Sequence, residues 1–200
     1  VNGEKVVSLQ RDLGFLWEPG WQSWALENVE ALVAAMNWVY IITYWPVILT
    51  AAFILFIKNR RDYNFYRTVV FINLAGALLT FMIFPVASPF AIPSVELSDS
   101  IQELGPKFYG SESMVSYYNI SAAMPSLHFS WTVILGVLFW RSFPGCGRYL
   151  GLLYPAVTFF AITLTGNHFI LDAMAGGVLA GLSFGAVLLL QTAQPRFFSP

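Results

Sequence analysis

The chain has 200 residues and a formal net charge of −1; 57% of its residues are hydrophobic and only 10% are charged. Soluble domains carry about 25% charged residues, so this composition excludes an ordinary water-facing globule and a basic surface for nucleic acid, and points to a bilayer as solvent. A single cysteine and two histidines, with no Cys or Glu at ligand spacing, exclude an internal disulfide and argue against zinc. The chemistry is therefore assigned to side chains, with no metal and no organic cofactor.

In chain order, residues 5–28 come first, mixing charges with Val6, Val7, Leu9, Leu13, Phe15 and Leu16 and with the tryptophans Trp17, Trp21 and Trp24. Tryptophan favours the headgroup boundary, so residues 1–28 are predicted to be an interfacial amphipathic segment, either an anchor or a lip for lipid entry. Charge-free runs follow at Ala31 to Ile57, Thr68 to Val95, Met124 to Trp140, Tyr149 to Asn167, and Phe169 to Gln194, the last broken only by Asp172. They predict about five transmembrane helices, near 30–57, 67–87, 126–142, 148–166 and 168–192. The expected fold is thus an all-α integral-membrane bundle, one domain over 29–195 with a short tail at 196–200. The connection 88–125 contains Pro89, Pro93, Pro106, Gly105 and Gly110, which predict an irregular loop over one end of the bundle.

Counting crossings sorts the charges. One face carries Lys58, Arg60, Arg61, Arg67, Arg141, Arg148 and Arg196 with a single acid, Asp62. The other carries Lys5, Arg11 and Lys107 against nine acids. Basic loops stay in the cytoplasm, so the acidic face is predicted to look outward from the cell membrane.

Both histidines open on that outer face. His128 lies in AAMPSLHFSW (Ala122 to Trp131), and His168 in TGNHFILDAMAGG (Thr165 to Gly177). Ionisable groups at the mouth of a span mark a functional site. Pro125 and Ser126 stand where a helix begins, and helix starts present unpaired N–H groups with a positive dipole end behind them, a setting for phosphate. His168 and Asp172 are four apart and share a helix face, so the carboxylate is placed to orient the ring. Two imidazoles with ordinary pKa values near roughly 6.5 serve as nucleophile and general acid if their environments differ, which predicts a bell-shaped pH profile. The bland readings are a structural polar pair for His168 and Asp172 and a plain helix cap for Ser126. They leave unexplained why both rings surface on one side.

PSLH and NHFILD resemble the PS-x-H and H-x-x-x-D signatures of the type 2 phosphatidic acid phosphatase superfamily of membrane lipid phosphatases and phosphotransferases. The strings NWVY (Asn37 to Tyr40), FPVASP (Phe84 to Pro89), AAMPSLH and GNHFILD are similar to its branch related to inositol phosphorylceramide synthases. The resemblance covers about residues 30 to 190. It implies a phosphohistidine mechanism in which His168 is the nucleophile, Asp172 orients it, His128 donates the proton to the leaving group and Ser126 holds phosphate oxygens. The implied substrate is a lipid phosphate or phospholipid in the membrane, with water or an alcohol such as inositol as acceptor.

The chain also departs from the family pattern. The first signature, K-x6-R-P, is missing from FMIFPVASPF, and the Ser-Arg that opens the third falls on Ala161 and Ile162. Arg60 and Arg67 have the K-x6-R spacing but lie on the cytoplasmic face by the crossing count. Substrate contacts are therefore expected from Ser126, Asn167 and Lys107, with Thr165 and Arg11 as further candidates. The alternatives are a non-catalytic relative that binds lipid phosphate or a partner, and a small transporter using the His–Asp pair as a proton relay.

Overall fold

The computed structural model describes residues 2–105 and 122–193. Residues 106–121 of the long loop, Lys107 among them, and residues 194–200, which include the 196–200 tail, lie outside the described residues. About 81% of the described residues are helical, and no strand is among them. The α-helices among the described residues are α1 (Asn2–Asp12), α2 (Glu18–Ile42), α3 (Tyr44–Lys58), α4 (Arg60–Ile83), α5 (Ser100–Leu104), α6 (Leu127–Ser142), α7 (Leu150–Leu164) and α8 (Ile170–Ala193).

Among the described residues, four segments are long and apolar enough to cross a membrane: Glu18–Ile42, Arg60–Ile83, Gly145–Leu164 and Ile170–Ala193. Their outward faces carry large bare side chains such as Met82, Ile83 and Leu189, each more than 70% exposed, as surfaces meant for hydrocarbon do. The predicted helix 126–142 is α6, whose 16 residues reach roughly 24 Å at 1.5 Å per residue.

The first predicted helix, 30–57, is corrected in two ways. It is broken at Thr43 into α2 and α3. Pro46 has no N–H to offer the preceding turn, and the Thr43 backbone N–H and hydroxyl both donate to the Val39 carbonyl. In addition, helix continues upstream to Glu18, across a kink at Val29 (φ −145° and ψ 48°) that coincides with the expected boundary between residues 28 and 29. Pro19 in the first turn and the Trp17–Trp21 contact start the helix that early.

Packing brings α6, α7 and α8 together with α2 and α4. Gly136 of α6 and Gly151 of α7 face one another so closely that a Cβ on Gly136 would stand 2.5 Å from the Gly151 carbonyl oxygen. Midway through the bundle, Asn73 of α4 donates to Ser130 Oγ of α6 (2.7 Å) and Ser183 Oγ of α8 (3.3 Å), and accepts from Trp131 Nε1 (3.0 Å). A buried amide satisfied in this way costs little in hydrocarbon and fixes the rotation of three helices.

At the end of the bundle that holds the starts of α6 and α8, the segment 84–105 and α1 form a cover. Val6 and Val7 of α1 are buried against Val86, Ile92, Val95, Leu97 and Phe169. One face of α1 is therefore seated on protein, while Leu9 and Leu13 stay exposed. Gln22 of α2 donates to the Ser98 and Leu164 carbonyls, and Asn37 exchanges hydrogen bonds with Ser100. These bonds tie the loop to α2 and to the end of α7.

Candidate active site

Ser126 is the N-cap of α6. Its Oγ accepts from the Phe129 amide at 3.3 Å, and its own amide donates to the Asp172 carbonyl at 3.0 Å. The start of α6 is thereby fastened to the first turn of α8. The approach is close: a Cβ on Gly176 of α8 would stand 2.5 Å from the Ser126 carbonyl oxygen. Ser126 is fully buried, and its hydroxyl hydrogen remains available to a further acceptor. The Leu127 and His128 amides, in the first turn, have no hydrogen bond within the described residues.

His128 stands on that turn between two aromatic faces. Tyr40 of α2 stacks on it at 4.2 Å between ring centroids, and Tyr44 of α3 meets it at 4.2 Å with a 34° tilt. Below the ring is a cavity of roughly 10 Å³, at the lower limit for one water, bordered by Thr43, Tyr44, Thr132, Tyr154 and Thr158.

His168 sits on the short passage from α7 to α8. Gly166, at φ 74°, makes the reversal that a side chain would strain, and a Cβ there would also press on the Ser98 carbonyl. The His168 amide donates to the Ile162 carbonyl at 3.0 Å, and the ring Nδ1 lies 3.0 Å from the Ala123 carbonyl. A carbonyl can only accept, so Nδ1 carries the hydrogen in this contact and the Nε2 lone pair is left free. Asp172 Oδ2 is farther from Nδ1, at 3.6 Å, and accepts instead from the Phe169 amide at 2.8 Å. The Asp172 Oδ1 atom is buried without a partner. The two histidine rings lie 6.0 Å apart between centroids, inclined by 53°.

The structure thus brings Ser126, His128, His168 and Asp172 to one end of the bundle. Asn167 is buried beside them, its Nδ2 bonded to Thr165 Oγ1 at 2.8 Å across the turn. Lys5 and Arg11 are exposed on α1. Among the described residues no Lys or Arg makes a hydrogen bond or ion pair with either histidine, Ser126 or Asp172. Arg60, Arg67 and Arg148 lie over Phe56, Tyr63 and Trp140, on the helix ends where the turns α3–α4 and α6–α7 run. The described residues hold no cluster of three or more His, Cys, Asp or Glu suited to a metal.

Several of these positions are absent from the sequence reading. Ala123 is one, because a backbone carbonyl has no letter; Val86 is another, its carbonyl accepting the Ala123 amide at 3.0 Å and holding that strand-like segment under His168. Tyr40 falls within the string NWVY, but its contact with His128 depends on how α2 and α6 pack. Gln10 and Glu18 are a third group. Both are fully buried, and both reach the first turn of α8: Ile170 donates its amide to Glu18 Oε1 at 2.6 Å and Leu171 to Gln10 Oε1 at 3.0 Å. The start of α8 is therefore already occupied, whereas the Leu127 and His128 amides at the start of α6 are open.

A family model described as the PAP2 superfamily matches residues 4–186 of the chain. No curated protein and no solved structure matches it.

Proposed function

Because this chain belongs to the PAP2 superfamily, we propose that it is an integral-membrane lipid phosphatase or phosphotransferase working through a phosphohistidine. His168 Nε2 attacks the phosphorus of a lipid phosphate or phosphodiester; the bond from phosphorus to the leaving oxygen breaks, and His128 delivers a proton to that oxygen. In the second half, His128 takes the proton from water or from an alcohol such as inositol, whose oxygen displaces His168 from phosphorus. Ser126 Oγ–H and the Leu127 and His128 amides meet the phosphoryl oxygens at the start of α6, where the helix dipole favours an anion. Lys107 is proposed to supply a cation from the long loop, and Asn167 to contact the phosphate.

One observation carries the proposal: the 6.0 Å approach of the two histidine rings, with Nδ1 of His168 tied to a carbonyl so that its Nε2 lone pair is free. The distribution of basic residues supports an outward-facing site in the cell membrane. The strings NWVY, FPVASP and GNHFILD support the branch related to inositol phosphorylceramide synthases, and with it transfer to an alcohol over hydrolysis. A second reading, a relative that binds lipid phosphate without turnover, is favoured by the lack of a described cation at the histidines.

Purified protein offered a panel of lipid phosphates and phosphodiesters, with and without inositol, separates the two. Headgroup release or exchange that disappears in His168→Ala supports the enzyme. Saturable binding with no turnover in the wild type supports the second reading.

A further inference from the structure

The first turn of α8 is capped partly from outside its own helix. Three consecutive amides, at Phe169, Ile170 and Leu171, each donate to a side-chain oxygen, of Asp172, Glu18 and Gln10 respectively. The last two caps also bond to one another: Gln10 Nε2 donates to Glu18 Oε1 at 2.8 Å and to Oε2 at 3.1 Å. Both side chains have 0% exposure, and neither reaches a basic partner among the described residues. A buried acid is ordinarily retained only where specific donors satisfy it. Here the donors are the helix start that follows His168 and one amide from α1.

We propose that Gln10 and Glu18 are positioning residues for His168, so that α1 and the start of α2 form part of the reaction machinery as well as a seat on the membrane surface. The inference rests on the proposed role of His168. Its physical content is local. The His168 ring can reach the Ala123 carbonyl only if the chain leaves Gly166 and enters α8 along one path, and the caps at Ile170 and Leu171 hold that path from the far side. Val6, Val7 and Phe169 pack in the same cluster, so the caps are carried by a helix already seated against the residue next to His168.

Because the chain has only two histidines, ring ¹⁵N spectra of histidine-labelled full-length protein report each one separately, with His128→Ala assigning the signals. The wild type is expected to show His168 in one tautomer, protonated at Nδ1 and bare at Nε2. Gln10→Ala and Glu18→Ala are each expected to convert that signal to a mixture of tautomers while leaving His128 in place. Phosphoryl transfer should fall in kcat, by up to about 10²-fold as for a nucleophile held slightly off line, with KM changed much less. Glu18→Gln, which keeps an oxygen for Ile170, should restore most of the single tautomer. Val187→Ala, a core truncation at the far end of α8, should leave the His168 signal unchanged. If Glu18→Ala does not fold, Gln10→Ala decides the matter with the Glu18 carboxyl still present.

An unaltered His168 signal in folded Gln10→Ala, or a change in Val187→Ala as large as in Gln10→Ala, would overturn the proposal. Failure of the wild type to turn over any lipid would defeat the enzymatic reading instead, and the ring spectra would still judge the cap.

Discussion

At the scale of single residues, the geometry around His168 differs from a hydrolase triad in one respect with a measurable consequence. In a triad the carboxylate holds the tautomer, and its conversion to an amide costs about 10⁴-fold in kcat. Here the carbonyl of Ala123 is the nearer partner of Nδ1, at 3.0 Å against 3.6 Å for Asp172. Asp172→Asn should therefore retain the tautomer and the bond from the Phe169 amide, and lose on the order of 10- to 10²-fold, the share due to charge. Steady-state kinetics on the substrate found by the lipid panel checks this, and a 10⁴-fold loss would return the orienting role to Asp172. The spacing of His168 and Asp172 predicts one shared helix face, but His168 precedes α8, which starts at Ile170, and its Nδ1 comes within 3.6 Å of Asp172 Oδ2 from the turn before the helix. What it left out was the competing acceptor, which arrives from a segment some forty residues earlier, where only folding brings Val86, Ala123 and His168 into one line.

At the scale of helices, the site depends on how closely α8 lies against the start of α6. Gly176→Ala forces a Cβ to within 2.5 Å of the Ser126 carbonyl, so the helices must part. The expected loss is about 1–3 kcal/mol, as for overpacked cores, read as a lower thermal midpoint in detergent, and activity should fall with it because Ser126 lies at that contact and His128 and Asp172 stand on the two helices it joins. Gly181, with nothing within 4 Å of a built Cβ, is the control, and Gly181→Ala should leave both unchanged. Asn73→Ala tests the polar knot between α4, α6 and α8. Removing one amide strands the Trp131 indole and two hydroxyls, at about 1 kcal/mol by the measure of hydrogen bonds inside membranes. Sequence located helices α4, α6, α7 and α8 to within a few residues at the site end, because long charge-free runs leave no other solution in a bilayer. It missed the break at Thr43 and the helical continuation upstream of the kink at Val29. Hydropathy cannot see a proline-broken turn inside an apolar run, and the charges and tryptophans of residues 18–28 mask a helix that joins the apolar one.

At the scale of the whole molecule, membrane placement and site placement constrain each other. The basic residues cluster at the turns α3–α4 and α6–α7, and the histidines open at the other end, so an outward site requires the α6–α7 turn to be cytoplasmic. Cys146, the only cysteine, is exposed in that turn. In intact cells a membrane-impermeant maleimide should leave Cys146 untouched and should label it after permeabilisation, while Leu13→Cys, exposed in the turn just after α1, should react from outside. Reversed accessibility would invert the molecule and place the histidines in the cytoplasm.

The proposed function requires His168 to carry the phosphoryl group between donor and acceptor. Quenching the purified protein during turnover of a lipid with labelled phosphate, and mapping the label by mass spectrometry under alkaline conditions that preserve phosphohistidine, shows whether it does. Phosphate is expected on the peptide containing His168, absent in His168→Ala and present or increased in His128→Ala when the donor has a leaving group that needs no proton. Turnover with no label on any histidine, or with the label on His128, would contradict it.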